Sequence, residues 1–132
     1  MSTSLSVEIR VETDVARAAL EATLFSRAAG CEETPSRLIA TAVSELARNI
    51  LKYANRGKLH LRRIDGGGKR GIEIEALDGG PGISDPEVAM QDHYSSGGTL
   101  GLGLPGVKRM MDEFSLDSTP GEGTRIKAVK WI

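Results

Sequence analysis

Residues Asp78-Gly79-Gly80-Pro81-Gly82 follow a segment in which apolar and polar residues alternate, so a single carboxylate stands where a predicted strand ends and a glycine-rich turn begins. A carboxylate held there can accept a hydrogen bond from the exocyclic amine of adenine, and glycines such as Gly80 and Gly82 leave space for the ring. Taken alone, the stretch is better explained as an ordinary Asp-Gly turn. Its meaning depends on three other segments.

Two of these segments are also glycine-rich. Gly101-Leu102-Gly103-Leu104-Pro105-Gly106 leads into a predicted helix, where free backbone N–H groups and the positive end of the helix dipole favour phosphate. Gly121-Glu122-Gly123-Thr124 opens the last predicted strand, and it brings the Thr124 hydroxyl beside Asp78 if the two strands are neighbours. Each alone is weak, since a loop and a hairpin turn explain them equally well.

The remaining segment lies on the longest predicted helix. Its apolar stripe, predicted to face the core, consists of Leu38, Ala42, Leu46, Ile50 and Tyr53. Glu45, Asn49 and Lys52 follow the border of that stripe at i, i+4 and i+7, so all three can point into a cleft between helix and sheet. A carboxylate and an amide one turn apart supply a candidate base and a candidate metal ligand. For this helix alone, a solvated edge is the simpler interpretation.

The first half of the chain predicts a strand and two helices. Leu5 to Val11 alternate as in an edge or first strand with one buried face. A helix is predicted from Asp14, as N-cap, to Gly30, and it contains Val15, Leu20 and Leu24. The next helix is predicted from Thr34, as cap, with Pro35 at its first position, to about Ala54.

The second half predicts two hairpins separated by a loop and a helix. The first hairpin joins 59–64 to 72–76 through the turn 65–68, and the second joins 114–118 to 125–132 through Pro120-Gly121-Glu122-Gly123. Between them lie a loop with a short helix from Asp85 to Gln91 and a helix at about 104–112. This order predicts an α+β fold: a two-layer sandwich of a mixed, mainly antiparallel sheet with helices on one face.

Composition narrows the class of protein. A chain of 132 residues suits one domain, and its net charge of -1 provides no broad field for nucleic acid or an anionic membrane. No apolar run approaches a membrane span, and no basic region precedes an apolar stretch at the N-terminus, so a cytoplasmic protein is expected. The single cysteine, Cys31, is expected to be a packing residue.

Taken together and in this order, the four segments resemble the ATP-binding fold of gyrase-type ATPases, sensor histidine kinases and MutL, the GHKL or Bergerat fold. The resemblance spans most of the chain, and it implies a single ATP-binding kinase domain over residues 1–132. Residues 44–49 and the run Gly103-Leu104-Pro105-Gly106-Val107-Lys108-Arg109-Met110-Met111-Asp112-Glu113-Phe114 are similar to RsbT-type switch kinases of bacterial stressosomes.

The resemblance implies a Mg-ATP site. Asn49 would ligate Mg²⁺, Glu45 would be the general base on a substrate hydroxyl, and Lys52 would contact phosphate. Asp78 would bind adenine with Thr124. The nucleotide-binding set implied in this way is Asn49, Lys52, Asp78, Gly80, Gly82, Gly101, Leu102, Gly103 and Thr124. Residues 83–100 would form a flexible ATP lid, although His93 is the only potentially cationic residue between Asp78 and Gly101.

Three functions remain open at this point. The first is a serine/threonine kinase acting on STAS-domain scaffold and antagonist proteins of a stressosome, which on release binds and activates a PP2C-type phosphatase. The second is an anti-sigma factor of the RsbW and SpoIIAB type with kinase activity on its antagonist. The third, a nucleotide sensor without catalysis, is disfavoured by the presence of both Glu45 and Asn49.

Overall fold

The computed structural model describes residues 3–82 and 103–132. In that part of the chain the elements are β1 (Ser4–Ile9), α1 (Thr13–Ala28), α2 (Glu33–Ala54), β2 (Gly57–Gly66), β3 (Lys69–Asp78), α3 (Gly103–Met110), β4 (Glu113–Thr119) and β5 (Gly123–Trp131). The predicted lid at 83–100 with its short helix, and the predicted site residues Gly101 and Leu102, lie outside the described residues.

The five described strands form one sheet in the order β1-β2-β3-β5-β4. Every described pairing is antiparallel, so the α+β two-layer prediction is confirmed, and no parallel pair occurs between these five strands. Helix α2 is the centre of the helical layer, because it packs against α1, α3 and the sheet. The ends of β3 and β5 and one face of α2 therefore belong to the same rigid framework.

The core follows the two sequence periods. In β2 and β3 the alternate residues Leu59, Leu61, Ile72 and Ile74 are buried, as the strand pattern predicts. On α2 the fully buried apolar side chains are Ile39, Ala42, Val43, Leu46, Ala47 and Ile50. The predicted stripe is therefore confirmed at its centre, whereas Leu38 and Tyr53 at its ends are only half-buried.

The first hairpin is closed by the two residues Gly67 and Gly68, because Gly66 pairs with Lys69. Their φ angles of 57° and 81° are both positive, which is the backbone of a type I′ turn. These angles are in the left-handed region that glycine tolerates. Of the predicted turn 65–68, Gly67 and Gly68 form the turn and need this backbone conformation, whereas Asp65 and Gly66 belong to β2.

The start of α1 differs from its prediction. Asp14 is not the N-cap: the helix begins at Thr13, and Glu12 occupies the cap position without a side-chain bond. The Asp14 carboxylate points backwards and accepts hydrogen bonds from the backbone N–H groups of Arg10 and Val11, at 2.9 and 3.0 Å. Because those amides are used in this way, β1 stops at Ile9 and Val11 is exposed.

The start of α2 was also predicted differently. The helix α2 begins at Glu33 after Glu32, so Thr34 lies inside the helix and Pro35 is its third residue. Proline is tolerated there because the first four N–H groups of a helix have no intrahelical partner. In α1 the buried face is Val15, Ala18, Ala22 and Ser26, whereas Leu20 and Leu24 are 60% and 62% exposed.

Candidate active site

Asp78 and Thr124 meet at one end of the sheet. They are direct register partners across β3 and β5, as expected if these strands are neighbours. The Asp78 Oδ1 atom accepts a hydrogen bond from the Gly80 N–H at 3.0 Å, a local bond that fixes the carboxylate at the start of its turn. Thr124 is buried, and its hydroxyl lies 3.0 Å from that of Ser118 on β4.

The glycines around this carboxylate are required by close backbone packing. A Cβ atom built on Gly80 would lie 2.5 Å from the Ala54 Cβ, at the last turn of α2. A Cβ on Gly123, whose φ is 124°, would overlap the Asp78 carbonyl oxygen. Gly82, with φ of 80°, similarly leaves no space against the Thr119 carbonyl. These positions hold α2, β3, β4 and β5 together at the site.

Glu45 lies at the contact between α2 and α3. Its carboxylate is buried, at 8% exposure, and its Oε2 atom accepts a hydrogen bond from the Gly103 N–H at 3.1 Å. Gly103 is the first residue of α3 and has a φ of 66°, which directs its N–H toward α2. The second predicted glycine segment and the predicted base are thus joined directly.

Arg48 completes this contact and was not among the predicted site residues. Its Nη1 atom donates to the Glu45 Oε1 atom at 3.1 Å, and its side chain is 44% exposed. The i, i+3 spacing of Glu45 and Arg48 was the signal that could have found it, since such residues share a helix face. Each oxygen of the buried carboxylate therefore has one donor.

Asn49 and Lys52 extend the same face of α2 by one and two turns from Glu45. Asn49 is half-buried and Lys52 is exposed. The Lys52 ammonium lies 5.3 Å from the centre of the Tyr53 ring, a cation–π contact. The structure thus places Glu45, Arg48, Asn49 and Lys52 in one row, with Gly103 opposite its first member.

The donor set of this row fits Mg-ATP. Mg²⁺ usually keeps several waters and takes one or two protein oxygens beside substrate phosphates, which a single amide such as Asn49 can satisfy. Asp78 accepts the Gly80 hydrogen bond through Oδ1, so within residues 3–82 and 103–132 its Oδ2 atom is left as an acceptor for an amine. The site has two parts, the face of α2 and the ends of β3 and β5. They are linked by the packing of Gly80 on Ala54.

Other residues considered from the sequence have structural roles. Cys31 is buried, and burial raises the pKa of its thiol, which makes it unreactive at neutral pH. His60 pairs with Ser6 on the exposed face of the sheet, at 2.5 Å between Nδ1 and Oγ. Among the described residues no helix is both long enough and apolar enough to cross a membrane.

The sequence was compared with known families and proteins. It matches the family model of the histidine kinase-like ATPase domain over residues 7–130. It is 45% identical over 132 residues to the serine/threonine-protein kinase RsbT of Bacillus subtilis (strain 168), covering 100% of this chain and 99% of that protein. It is also 37% identical over 100 residues to the anti-sigma F factor of Thermoanaerobacter sp. (strain X514), covering 71% of this chain and 68% of that protein.

Two solved structures share the fold. The mycobacterial sensor histidine kinase MprB superposes with a TM-score of 0.57 at 21% identity, covering 96% of each chain. A chain from the SiaB–SiaC complex of Pseudomonas aeruginosa gives a TM-score of 0.57 at 13% identity, covering 98% of this chain and 89% of that one. At these identities the likeness concerns the fold alone.

Proposed function

Because this chain belongs to the histidine kinase-like ATPase domain family and is an RsbT-type serine/threonine-protein kinase that uses ATP, we propose that its substrate is a serine or threonine of a STAS-domain partner. The observation that carries the proposal is the buried Glu45 carboxylate, held at the α2–α3 contact by the Gly103 N–H with Asn49 one turn further along. This row of residues offers a base and a metal ligand.

The proposed reaction is a direct phosphoryl transfer. The hydroxyl oxygen of the partner attacks the terminal phosphorus of ATP, the bond to the bridging oxygen breaks, and ADP leaves. Glu45 accepts the hydroxyl proton, so the products are ADP and a phosphoserine or phosphothreonine. A fixed carboxylate suits this role because the reaction depends mainly on positioning and charge neutralisation.

The other residues of the row would hold the nucleotide. Asn49 would ligate Mg²⁺, and the bound ion would neutralise negative charge on the phosphates. Lys52 would leave its contact with the Tyr53 ring to reach phosphate. The N-terminal end of α3 at Gly103 would place backbone donors near the same phosphates. Gly101 and Leu102, which precede it in the sequence, are proposed to bind the nucleotide as well.

The β3–β5 end of the site would bind the base of the nucleotide. The Asp78 carboxylate would accept a hydrogen bond from the exocyclic amine of adenine, and the paired Thr124 would support it through a water molecule. The register between these residues supports this assignment. Gly80 and Gly82 would keep the turn close enough to α2 and β4 for the two ends of the site to act on one molecule.

The second part of the proposal concerns the consequence of phosphorylation for the kinase itself. The partners would be the scaffold and antagonist proteins of a stressosome, and their phosphorylation would release the kinase. The released kinase would then bind and activate a PP2C-type phosphatase, so the same chain would act as enzyme and as switch. The relation to RsbT along the whole chain supports this role.

The alternative is an anti-sigma factor that also phosphorylates its antagonist. It is favoured by the 37% identity to the anti-sigma F factor, although that match covers 71% of this chain and the match to RsbT covers all of it. The two functions share the same nucleotide chemistry. They differ in the partner that is captured.

The test is a transfer assay with Mg-ATP and purified STAS-domain proteins from the same genome. The intact protein should place phosphate on a partner serine or threonine, and Glu45→Ala and Asn49→Ala should each lower the rate by about a hundredfold or more, as expected for loss of a base or a metal ligand. Glu33→Ala is the matched control, because Glu33 is an exposed carboxylate on the same helix, paired with Arg37.

Two outcomes would separate the alternatives. Absence of transfer to every STAS-domain protein, together with tight capture of a sigma factor, would overturn the proposed kinase function in favour of the anti-sigma function. Activation of a PP2C-type phosphatase by the kinase released after phosphorylation supports the switch. A phosphatase that is unaffected by the kinase contradicts that part alone.

A further inference from the structure

The pairing of Arg48 with Glu45 occupies one carboxylate oxygen of the proposed base. The Glu45 Oε1 atom is 3.1 Å from Arg48 Nη1, and Oε2 is 3.1 Å from the Gly103 N–H. While this pair is intact, the Oε1 atom is occupied by the guanidinium and is not available to a substrate hydroxyl. The bond from Gly103 belongs to the framework, but the partner of Oε1 is a long side chain that can move.

Arg48 is placed where such a movement is possible. Its side chain is 44% exposed, whereas that of Glu45 is 8% exposed. Positions 45, 48, 49 and 52 share one helix face at i, i+3, i+4 and i+7. The guanidinium therefore stands at the open side of the row, between the proposed base and the proposed metal ligand along the helix.

The charge of the site supplies a reason for the movement. The sequence has no lysine or arginine between Asp78 and Gly101. On the site face of α2 the cations are Arg48 and Lys52. Lys52 in this structure lies over the Tyr53 ring. Arginine binds phosphate through two parallel hydrogen bonds, and a terminal phosphate carries more negative charge than a carboxylate.

We propose that Arg48 is a shared cation: it holds Glu45 in the nucleotide-free protein and transfers to the terminal phosphate of bound ATP, which frees the Glu45 Oε1 atom for the hydroxyl of the substrate. This inference rests on the proposed function, and it makes readiness of the base depend on the terminal phosphate. ADP lacks that phosphate and leaves the Arg48–Glu45 pair intact. Arg48 thus distinguishes ATP from ADP.

The experiment measures equilibrium binding of ADP and of the non-hydrolysable imido analogue of ATP, without any protein substrate. Arg48→Gln should weaken binding of the ATP analogue by about tenfold, as expected for loss of charged hydrogen bonds, and should leave ADP binding within about twofold. Arg37→Gln is the matched control, since Arg37 lies on the same helix in an exposed i, i+4 pair with Glu33. It should change neither affinity.

A double-mutant cycle tests the sharing itself. Glu45→Gln removes the competing charge and should tighten binding of the ATP analogue by about three- to tenfold, because one partly buried ion pair no longer has to be broken. The same substitution in the Arg48→Gln background should change it by less than about twofold. A general effect of charge would instead tighten binding in both backgrounds and would overturn the proposal.

Other outcomes also decide the matter. Equal weakening of ADP and ATP-analogue binding by Arg48→Gln, or no weakening of either, contradicts the proposal. Should Arg48→Gln fail to fold, Arg48→Lys keeps the charge and loses the two-pronged geometry, and it should show an intermediate preference for the ATP analogue. Since no partner protein is present, failure here is separate from failure of the proposed substrate class.

Discussion

Asp78 and Thr124 face each other across β3 and β5, and Thr124 faces Ser118 across β5 and β4. The three polar side chains thus lie side by side on neighbouring strands at one end of the sheet, and we call them the strand-end cluster. The hydroxyls of Thr124 and Ser118 are 3.0 Å apart, so the position of Thr124 beside the carboxylate is fixed from the opposite side. The strand-end cluster connects a stabilising hydrogen bond with the proposed adenine contact.

Thr124→Val tests both roles of the strand-end cluster, the stabilising hydrogen bond and the proposed adenine contact. The substitution keeps the shape of the side chain but removes the hydroxyl, so we expect a loss of about 1 kcal/mol in the free energy of unfolding. Binding of ATP should weaken by roughly three- to tenfold, because one hydrogen bond near adenine is lost. Denaturant unfolding and nucleotide titration measure the two effects.

The matched control for this substitution is Thr41→Val, at an exposed position of α2. It also removes a threonine hydroxyl, which at this position donates to the backbone carbonyl of Arg37. Nucleotide affinity of Thr41→Val should equal that of the unmodified protein. If both variants bind ATP equally well, Thr124 has no part in the adenine site.

A leucine in the core and a leucine on the exposed face of a helix should contribute differently to the free energy of unfolding. Leu46 is fully buried on α2, so Leu46→Ala should lower the free energy of unfolding by about 2–5 kcal/mol through lost burial and a cavity. Leu24 on α1 is 62% exposed, so Leu24→Ala should change it by less than about 0.5 kcal/mol. Equal losses in a denaturant titration would show that the Leu24 face is covered in solution.

The periodic parts of the fold and the end of α2 at Ala54 could be predicted from the sequence, but the N-caps of α1 and α2 could not. Alternation in β2 and β3 and the stripe on α2 reflect burial, which the residue pattern records directly. The predicted N-cap of α1 was wrong because the Asp14 carboxylate accepts hydrogen bonds from backbone N–H groups that precede the helix. A short polar side chain can bond in either direction, and its sequence neighbours do not reveal which one.

The candidate site shows a similar division. The pairing of Asp78 with Thr124 was expected on the condition that β3 and β5 are neighbours, whereas the bond between Gly103 and Glu45 depends on how α3 meets α2. That contact joins residues far apart in sequence and leaves no local pattern. Arg48 was missed because a charged residue on a helix edge is usually solvated, and only the buried Glu45 beside it gives it a role.

Asp14 predicts a pH dependence of stability. Hydrogen bonds from the backbone N–H groups of Arg10 and Val11, assisted by Arg17, hold the pKa of the Asp14 carboxyl below its usual value of 3.8. Folding therefore favours the ionised form, and its contribution to stability is fully present above the unfolded pKa. That contribution is lost as the pH falls through the lower folded pKa.

The expected result is a difference between the unmodified protein and Asp14→Asn that depends on pH. The difference in the free energy of unfolding should be constant above pH about 5 and should shrink as the pH falls below about 4. Asp65→Asn, in the exposed first hairpin, is the control for a change of net charge. A difference that stays constant down to pH about 3 would contradict the assignment to Asp14.

Gly80 and Gly79 separate packing from binding within one turn. A Cβ atom on Gly80 would lie 2.5 Å from the Ala54 Cβ and 2.8 Å from its Cα, whereas a Cβ on Gly79 would meet nothing within 4 Å. Gly80→Ala should therefore lower the free energy of unfolding by about 1–3 kcal/mol, as overpacking does, and Gly79→Ala should be close to neutral. Chemical denaturation of the two variants measures the difference.

The nucleotide affinity of the same two variants adds a second comparison. The clash at Gly80 pushes the turn away from α2, and this separates Asp78 from the row that begins at Glu45, so ATP binding should weaken together with stability. Normal stability of Gly80→Ala with lost ATP binding would mean that the glycine serves only to leave space for adenine. Lost stability with unchanged affinity would mean that the two ends of the site do not depend on the α2–β3 contact.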